Sequence, residues 1–131
     1  GLLGHSDADV LLHAICDAIL GAINLRDIGY HFPDSSGEFK GIDSRKLLEK
    51  VWNMMNREGY GITNIDSVIV LQQPKIAPFI DDIRDSIASV LKISSSRISV
   101  KATTTEKLGF EGKGEGVAVQ AVVLLHKIQP E

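Results

Sequence analysis

The sequence predicts a mixed α/β domain of the α+β kind, with a single-layer sheet covered by helices. Three observations predict it. Apolar residues recur at helical spacing around residues 10–22, 47–55 and 80–91. Three other segments, 62–73, 97–103 and 117–128, are rich in β-branched residues. The two kinds of segment mix along the chain in the order α, α, β, α, β, β, which suits a layered domain.

The first helix is predicted from about Asp7 to about Ile23. Ser6 stands three residues ahead of Asp9 in a capping pattern, and Val10, Leu11, Ala14, Ile15, Ala18, Ile19 and Ala22 form its apolar stripe. Asn24 to Gly29 reads as the exit and a turn. Tyr30 to Gly41, with Pro33, Asp34, two serines and two glycines, reads as a loop long enough to serve a function. Asp43 or Ser44 caps a second helix that stops at Gly59, with Leu47, Leu48, Val51, Trp52 and Met55 on its apolar face. Ile62 to Gln73 is a strand centred on Val68-Ile69-Val70-Leu71, and Pro74 ends it because it lacks an N–H donor. Pro78 opens a third helix that turns Phe79 or Ile80, Ile83, Ile87 and Leu91 inward, and Ser94 to Ser96 break it. Arg97 to Thr103 is a strand alternating through Ile98, Val100 and Ala102. A Gly-rich connector, Gly109 to Gly116, then leads to a last strand, Val117 to Ile128. That connector allows the last two strands to pair antiparallel. Three strands make a thin sheet against the usual ~4–6.

The composition narrows the function classes. The 131 residues suit one domain, and 44% hydrophobic with 24% charged residues is ordinary globular composition. A net charge of −3 gives no bulk field for nucleic acid or an anionic membrane. Cys16 is the only cysteine, so no intrachain disulfide forms, and a reducing compartment is the simpler expectation. The apolar stretches fall short of the ~20 residues that span a bilayer. No G-x-S-x-G, C-x-x-C or H-E-x-x-H occurs, which weighs against hydrolase, redox and zincin readings.

Four segments carry residues suited to chemistry. His5-Ser6-Asp7-Ala8-Asp9 precedes His13 and Asp17, and Asp9, His13 and Asp17 share one helix face. His13 reads as a metal ligand with Asp17 accepting its other N–H, or as a satisfied core histidine. His5 and Ser6 lie at the helix entrance, where free N–H groups and the dipole favour phosphate; Asp7 and Asp9 there suit the dipole alone equally well. Asp27-Ile28-Gly29 before Phe32-Pro33-Asp34 suits a hydroxylated ligand or an ordinary turn. Ala102-Thr103-Thr104-Thr105-Glu106-Lys107 ends a strand, and hydroxyls with one carboxylate suit phosphate oxygens and a hard cation such as Mg²⁺. The loop Gly109 to Gly116 is neither a Walker A nor a dinucleotide fingerprint, and presents Lys113 to an anion or is merely mobile. Gln72-Gln73-Pro74-Lys75-Ile76 is a corner whose backbone suits a base edge or a plain turn. Cys16 reads as a buried inert thiol, and His31 and His126 as incidental.

In order along the chain, His5-Ser6-Asp7-Ala8-Asp9-Val10 with His13, Asp27-Ile28-Gly29, Phe32-Pro33-Asp34, Gln73-Pro74-Lys75 and Ala102-Thr103-Thr104-Thr105-Glu106-Lys107-Leu108-Gly109-Phe110 resemble 2-C-methyl-D-erythritol 2,4-cyclodiphosphate synthases, enzymes of the non-mevalonate isoprenoid route. Each motif alone is weak; the ordered set is specific and spans nearly the whole chain. The resemblance implies a homotrimer with active sites between subunits, located in the cytoplasm of a bacterium or the plastid of a plant or alga. It implies a phosphorus-oxygen lyase that converts 4-diphosphocytidyl-2-C-methyl-D-erythritol 2-phosphate to the cyclodiphosphate and releases CMP. Residues 1–131 then form one synthase-like domain.

The resemblance also implies roles. His5 and Thr104 are transition-state stabilisers, and His5 and Ser6 hold phosphate. Asp27, Ile28 and Gly29 hold the methylerythritol moiety, over which Phe32, Pro33, Asp34, Ser35 and Ser36 close. Leu71, Gln72, Gln73, Pro74, Lys75, Ile76 and Ala77, with Ala102, Thr103 and Thr104, form the cytidine pocket. Thr105, Phe110 and Lys113 add binding positions; Lys113 stands where many members carry Arg, keeping the charge without the bidentate fork. His13 matches a Zn²⁺ ligand and Glu106 the ligand of a second divalent cation, Mg²⁺ or Mn²⁺. The family's zinc set also uses an Asp-x-His pair in an N-terminal strand, and no such pair stands before Gly1. The expectation is a preceding strand or hairpin of roughly 25–30 residues at usual strand lengths. A non-catalytic trimer that holds cytidine nucleotides is the alternative reading.

Overall fold

The computed structural model describes residues 3–33, 43–71, 76–104 and 117–128, with side chains from Asp7 onward. Helix α1, Leu3–Ala22, buries Leu11, Leu12, Ile15, Cys16, Ile19 and Leu20 along one stripe. It starts one turn earlier than the sequence reading, so Ser6 lies inside the helix and is not its cap. Adding a turn to an existing helix needs no new nucleation, and no proline stands in the way. The helix closes on Asn24 at φ 59°. The Leu25 N–H reaches the Leu20 carbonyl at 2.8 Å and the Asn24 N–H the Gly21 carbonyl at 3.1 Å, a Schellman closure with Asn in the left-handed seat.

The predicted turn and loop after α1 begin instead with a one-turn helix, α2, Ile28–His31. Asp27, in extended backbone, caps it by accepting from the Tyr30 N–H at 3.0 Å. Helix α3, Ser44–Arg57, starts under Asp43, whose carboxylate accepts from the Arg45 N–H at 2.8 Å. Leu47, Leu48, Val51 and Met55 are buried, and Gly59 follows at φ 88°.

Strand β1, Tyr60–Leu71, begins two residues earlier than predicted; its predicted end at Gln73 and the Pro74 stop lie outside the described residues. A 3₁₀ turn, Ala77–Phe79, leads into α4, Ile80–Leu91, which buries Ile83, Ile87, Ala88 and Leu91. Of the two candidates for its first inward residue, Ile80 packs on the core and Phe79 is 47% exposed. Strand β2, Ile98–Thr104, follows, and β3 is Ala118–Lys127.

The strand order is β2-β1-β3, with β1 parallel to β2 and antiparallel to β3. The last two strands therefore do not pair with each other, contrary to the arrangement their connector allowed. Parallel neighbours need a long crossover, and the segment from Leu71 to Ile98 with α4 supplies one. The Arg84 guanidinium fixes that crossover, donating to the Ile98 and Ser95 carbonyls at 2.9 Å each. Between Ile62 and Asn64 the pairing with β3 shifts, leaving Thr63 as an extra residue; Thr63 and Asn64 are consequently both exposed between buried Ile62 and Ile65. One face of the sheet carries Ile65, Ile69, Leu71, Ile98 and Val100 into a core shared with the helices. The other carries Asp66, Lys101, Gln120, Val122 and Leu124 outward. The Lys101 ammonium bonds Asp66 there and holds its carboxyl below the ordinary range. The mixed α+β class with a helix-covered sheet stands as predicted.

Candidate active site

The fold gathers the predicted site residues into two groups. The first is built on α1. His13 is half-buried, with Nε2 3.2 Å from the Ser44 Oγ at the start of α3. One turn on, Asp17 accepts the Ile28 N–H at 2.8 Å. This corrects one expectation: Asp17 does not hold the His13 imidazole but anchors α2, because the first N–H groups of α2 need acceptors and Asp17 faces them. The contact brings Asp27, Ile28 and Gly29 beside the helix that carries His13. Asp27 is exposed and uses one carboxylate oxygen as a cap, so the turn role is real. Phe32 is half-buried against the core, and Pro33 is exposed. His31 donates from Nε2 to the Leu25 carbonyl at 2.6 Å and is structural, not incidental.

His5 and Ser6 lie in the first turn of α1, where N–H groups lack helical partners. Asp7 follows, its carboxyl pushed above the ordinary value by partial burial. The side chains of His5 and Ser6, and all of Asp34, Ser35 and Ser36, lie outside the described residues.

The second group is an edge of the sheet. In the parallel register Leu71 sits opposite Thr104 and Val70 opposite Thr103, while Ala118 of β3 pairs with Val70. Two segments 33 residues apart in sequence, predicted to share a pocket, thus end side by side at the carboxyl ends of parallel strands, where open sheets bind ligands. Thr103 is exposed on the outer face and Thr104 half-buried on the inner one, so consecutive threonines serve both faces. Leu71 and Ile76 are buried in the core, which leaves only their backbone for a ligand; Ala77 is exposed and Ala102 half-buried. Gln72, Gln73, Pro74, Lys75, Thr105, Glu106, Phe110 and Lys113 lie outside the described residues.

The sequence reading missed Ser44 as a partner of His13. It took Ser44 only as a rival cap; because Asp43 caps α3, the Ser44 hydroxyl is left to bond inward, and Ser44 is buried. Among the described residues no group of three or more His, Cys, Asp or Glu converges to hold a metal ion. A catalytic zinc takes three protein donors, and no such set of three converges on His13 among the described residues. The described set does not complete a zinc site.

A mixed α+β chain with a ligand edge at its parallel strand ends matches the YgbB family over residues 1–126, and the chain belongs to that family. Over 127 residues the chain is 58% identical to the 2-C-methyl-D-erythritol 2,4-cyclodiphosphate synthase of Pelotomaculum thermopropionicum, covering 97% of this chain and 78% of that protein. The resemblance carried by the ordered motifs therefore holds. Among solved structures, the bifunctional IspDF from Campylobacter jejuni superposes with a TM-score of 0.87 at 43% identity, over 91% of this chain and 32% of that one. IspF of Plasmodium falciparum, a CDP complex, gives 0.81 at 34% identity, over 92% and 72%. Among the described residues no helix is long and apolar enough to cross a membrane.

Proposed function

We propose that the chain closes 4-diphosphocytidyl-2-C-methyl-D-erythritol 2-phosphate to 2-C-methyl-D-erythritol 2,4-cyclodiphosphate with release of CMP, as a cytoplasmic enzyme of the non-mevalonate isoprenoid route. The observation that carries this is the 58% identity over 97% of the chain to a synthase named for that product. An oxygen of the 2-phosphate bonds to the β-phosphorus as the bridging P–O bond to CMP breaks, with no covalent bond to the protein. Both partners are anionic, so the tasks are positioning and charge neutralisation.

The strand edge holds the cytidine, with Leu71 to Ala77 on one side and Ala102 to Thr104 on the other. That the Plasmodium falciparum relative is a CDP complex supports a cytidine nucleotide as the ligand. Thr104 and His5 steady the charge that develops between the phosphates, and Ser6 holds phosphate at the start of α1. Asp27 keeps its second oxygen for a ligand hydroxyl, and Ile28 and Gly29 present backbone. Phe32 to Ser36 close over the methylerythritol. Thr105, Phe110 and Lys113 extend the binding surface. His13 would give Zn²⁺ one imidazole and Glu106 would give Mg²⁺ or Mn²⁺ a carboxylate; a divalent cation held there would supply Lewis acidity to phosphate oxygens. Residues 1–131 act as one domain, and three copies assemble through the outward sheet face, where Val122 and Leu124 stand exposed.

The test is CMP release from the substrate with Zn²⁺ and Mg²⁺ supplied. CMP is expected, falling on chelation, and Thr104→Ala is expected to lower kcat about 100-fold, the usual loss for one stabilising donor. No CMP with both metals present overturns the reading. Among the described residues, a donor set with only the His13 imidazole favours one alternative, a cytidine-nucleotide binder without turnover. CDP binding by calorimetry beside absent CMP release selects it.

A further inference from the structure

We infer that a cleft at the opposite end of the sheet is a second binding site, for a small organic anion with an apolar body. It lies where β1 and β2 begin and β3 ends, nine residues along β1 from Leu71, or about 30 Å at strand rise. Its volume is about 190 Å³. An apolar cavity of about 150 Å³ accepts benzene, so this space has room for one ring.

The floor is apolar: Met55, Ile62 and Leu91 are buried beneath it. Half-buried Trp52 and Tyr60 add aromatic wall. The rim is basic, with Lys92, Arg97 and His126 lining the cleft and no carboxylate among the lining residues. In a chain of net charge −3 that local excess of cations marks an anion partner.

Each basic group is held in place. Lys92 sits in the left-handed region at φ 58°, with its ammonium 4.3 Å from the centroid of the Trp52 ring. Arg97 Nη1 donates to the Ile62 carbonyl at 3.5 Å, next to the β1 bulge. His126 Nδ1 pairs with the Thr63 hydroxyl at 2.8 Å, a contact made by the extra residue of that bulge. Its ring lies over Gly61, where an added Cβ would come within 2.9 Å of Nε2, so Gly61 leaves the room that seats the imidazole. The two fixed cations, Lys92 and Arg97, lose little freedom when an anion docks over the apolar floor, which is what favours binding.

Trp52 is the only tryptophan, so intrinsic fluorescence reports on this cleft. Phenyl phosphate titrated into the wild-type chain is expected to give a saturable change that weakens with added salt. Phenol and inorganic phosphate are each expected to bind about tenfold more weakly, since each lacks one half of the match. Lys92→Asn removes a cation while Asn tolerates the left-handed backbone; Arg97→Gln is the second variant. Each is expected to weaken phenyl phosphate about tenfold. Saturating CDP is expected to leave the signal in place, which separates this site from the proposed cytidine pocket. No saturable change, phenol binding as well as phenyl phosphate, indifference to both substitutions, or competition by CDP overturns the inference.

Discussion

At the scale of single residues, the interior of α1 makes a measurable statement about pH. Cys16 is fully buried, and burial pushes its thiol from 9.0 up to about 12, with the charge of Asp17 adding to the effect. The unfolded chain loses this proton first, so between pH 9 and pH 12 it binds fewer protons than the folded chain, and stability falls as pH rises. The contribution is fully present below pH 9. The expected slope is at most about 1.4 kcal/mol per pH unit. Cys16→Ala lacks it, so the stability gap between wild type and variant, read from urea unfolding, should narrow as pH climbs through that window. A constant gap refutes the shift. The inert thiol was legible because an apolar helical run with no base nearby allows little else. The partner of His13 was not: Ser44 lies 31 residues away, and only the choice of Asp43 as cap frees its hydroxyl.

At the scale of elements, two glycines carry opposite expectations. Gly59 closes α3 at φ 88°, and no atom lies within 4 Å of the position a Cβ would take. Gly59→Ala therefore suffers backbone strain alone, a loss of about 1–2 kcal/mol. Gly21 lies in the last turn of α1 with equally open space and no positive φ. Gly21→Ala should gain about 0.5 kcal/mol by restricting the unfolded chain. Urea midpoints of the two variants should move in opposite directions, and a shared direction would refute the backbone account, since the space at the two sites is alike. The helix interiors and the Gly59 stop were readable because periodicity and chain-ending residues are local. The start of α1 was not, since a capping pattern at Ser6 competes with simple propagation of the helix toward Leu3. Nor was the pairing of β2 with β1. Both connections were open to a reader of strands alone, and the crossover through α4, which buries Ile98 and Val100, decides between them.

At the scale of the whole molecule, the uncovered sheet face bears on the proposed assembly. The helices occupy one side of the sheet. On the other, Val122 is 70% and Leu124 59% exposed, opposite Asp66 and Asn64 in the register. The face is neither dry enough for a core nor polar enough for solvent alone, which suits a surface shared between copies of the chain. Val122→Lys distinguishes the cases. In an isolated subunit the new ammonium lies across from Asp66, so the cross-strand pair is at worst neutral and folding survives. In an assembly through this face the same ammonium is desolvated, at a cost of several kcal/mol per ion before any pairing. Sedimentation of the wild-type chain should give three times the subunit mass, and that of Val122→Lys the subunit mass, with unchanged far-ultraviolet circular dichroism. CMP release should fall with the mass, because the proposed sites lie between subunits. A Val122→Lys protein that keeps the threefold mass removes this face from the interface. A wild-type chain that sediments as a single copy removes the trimer itself.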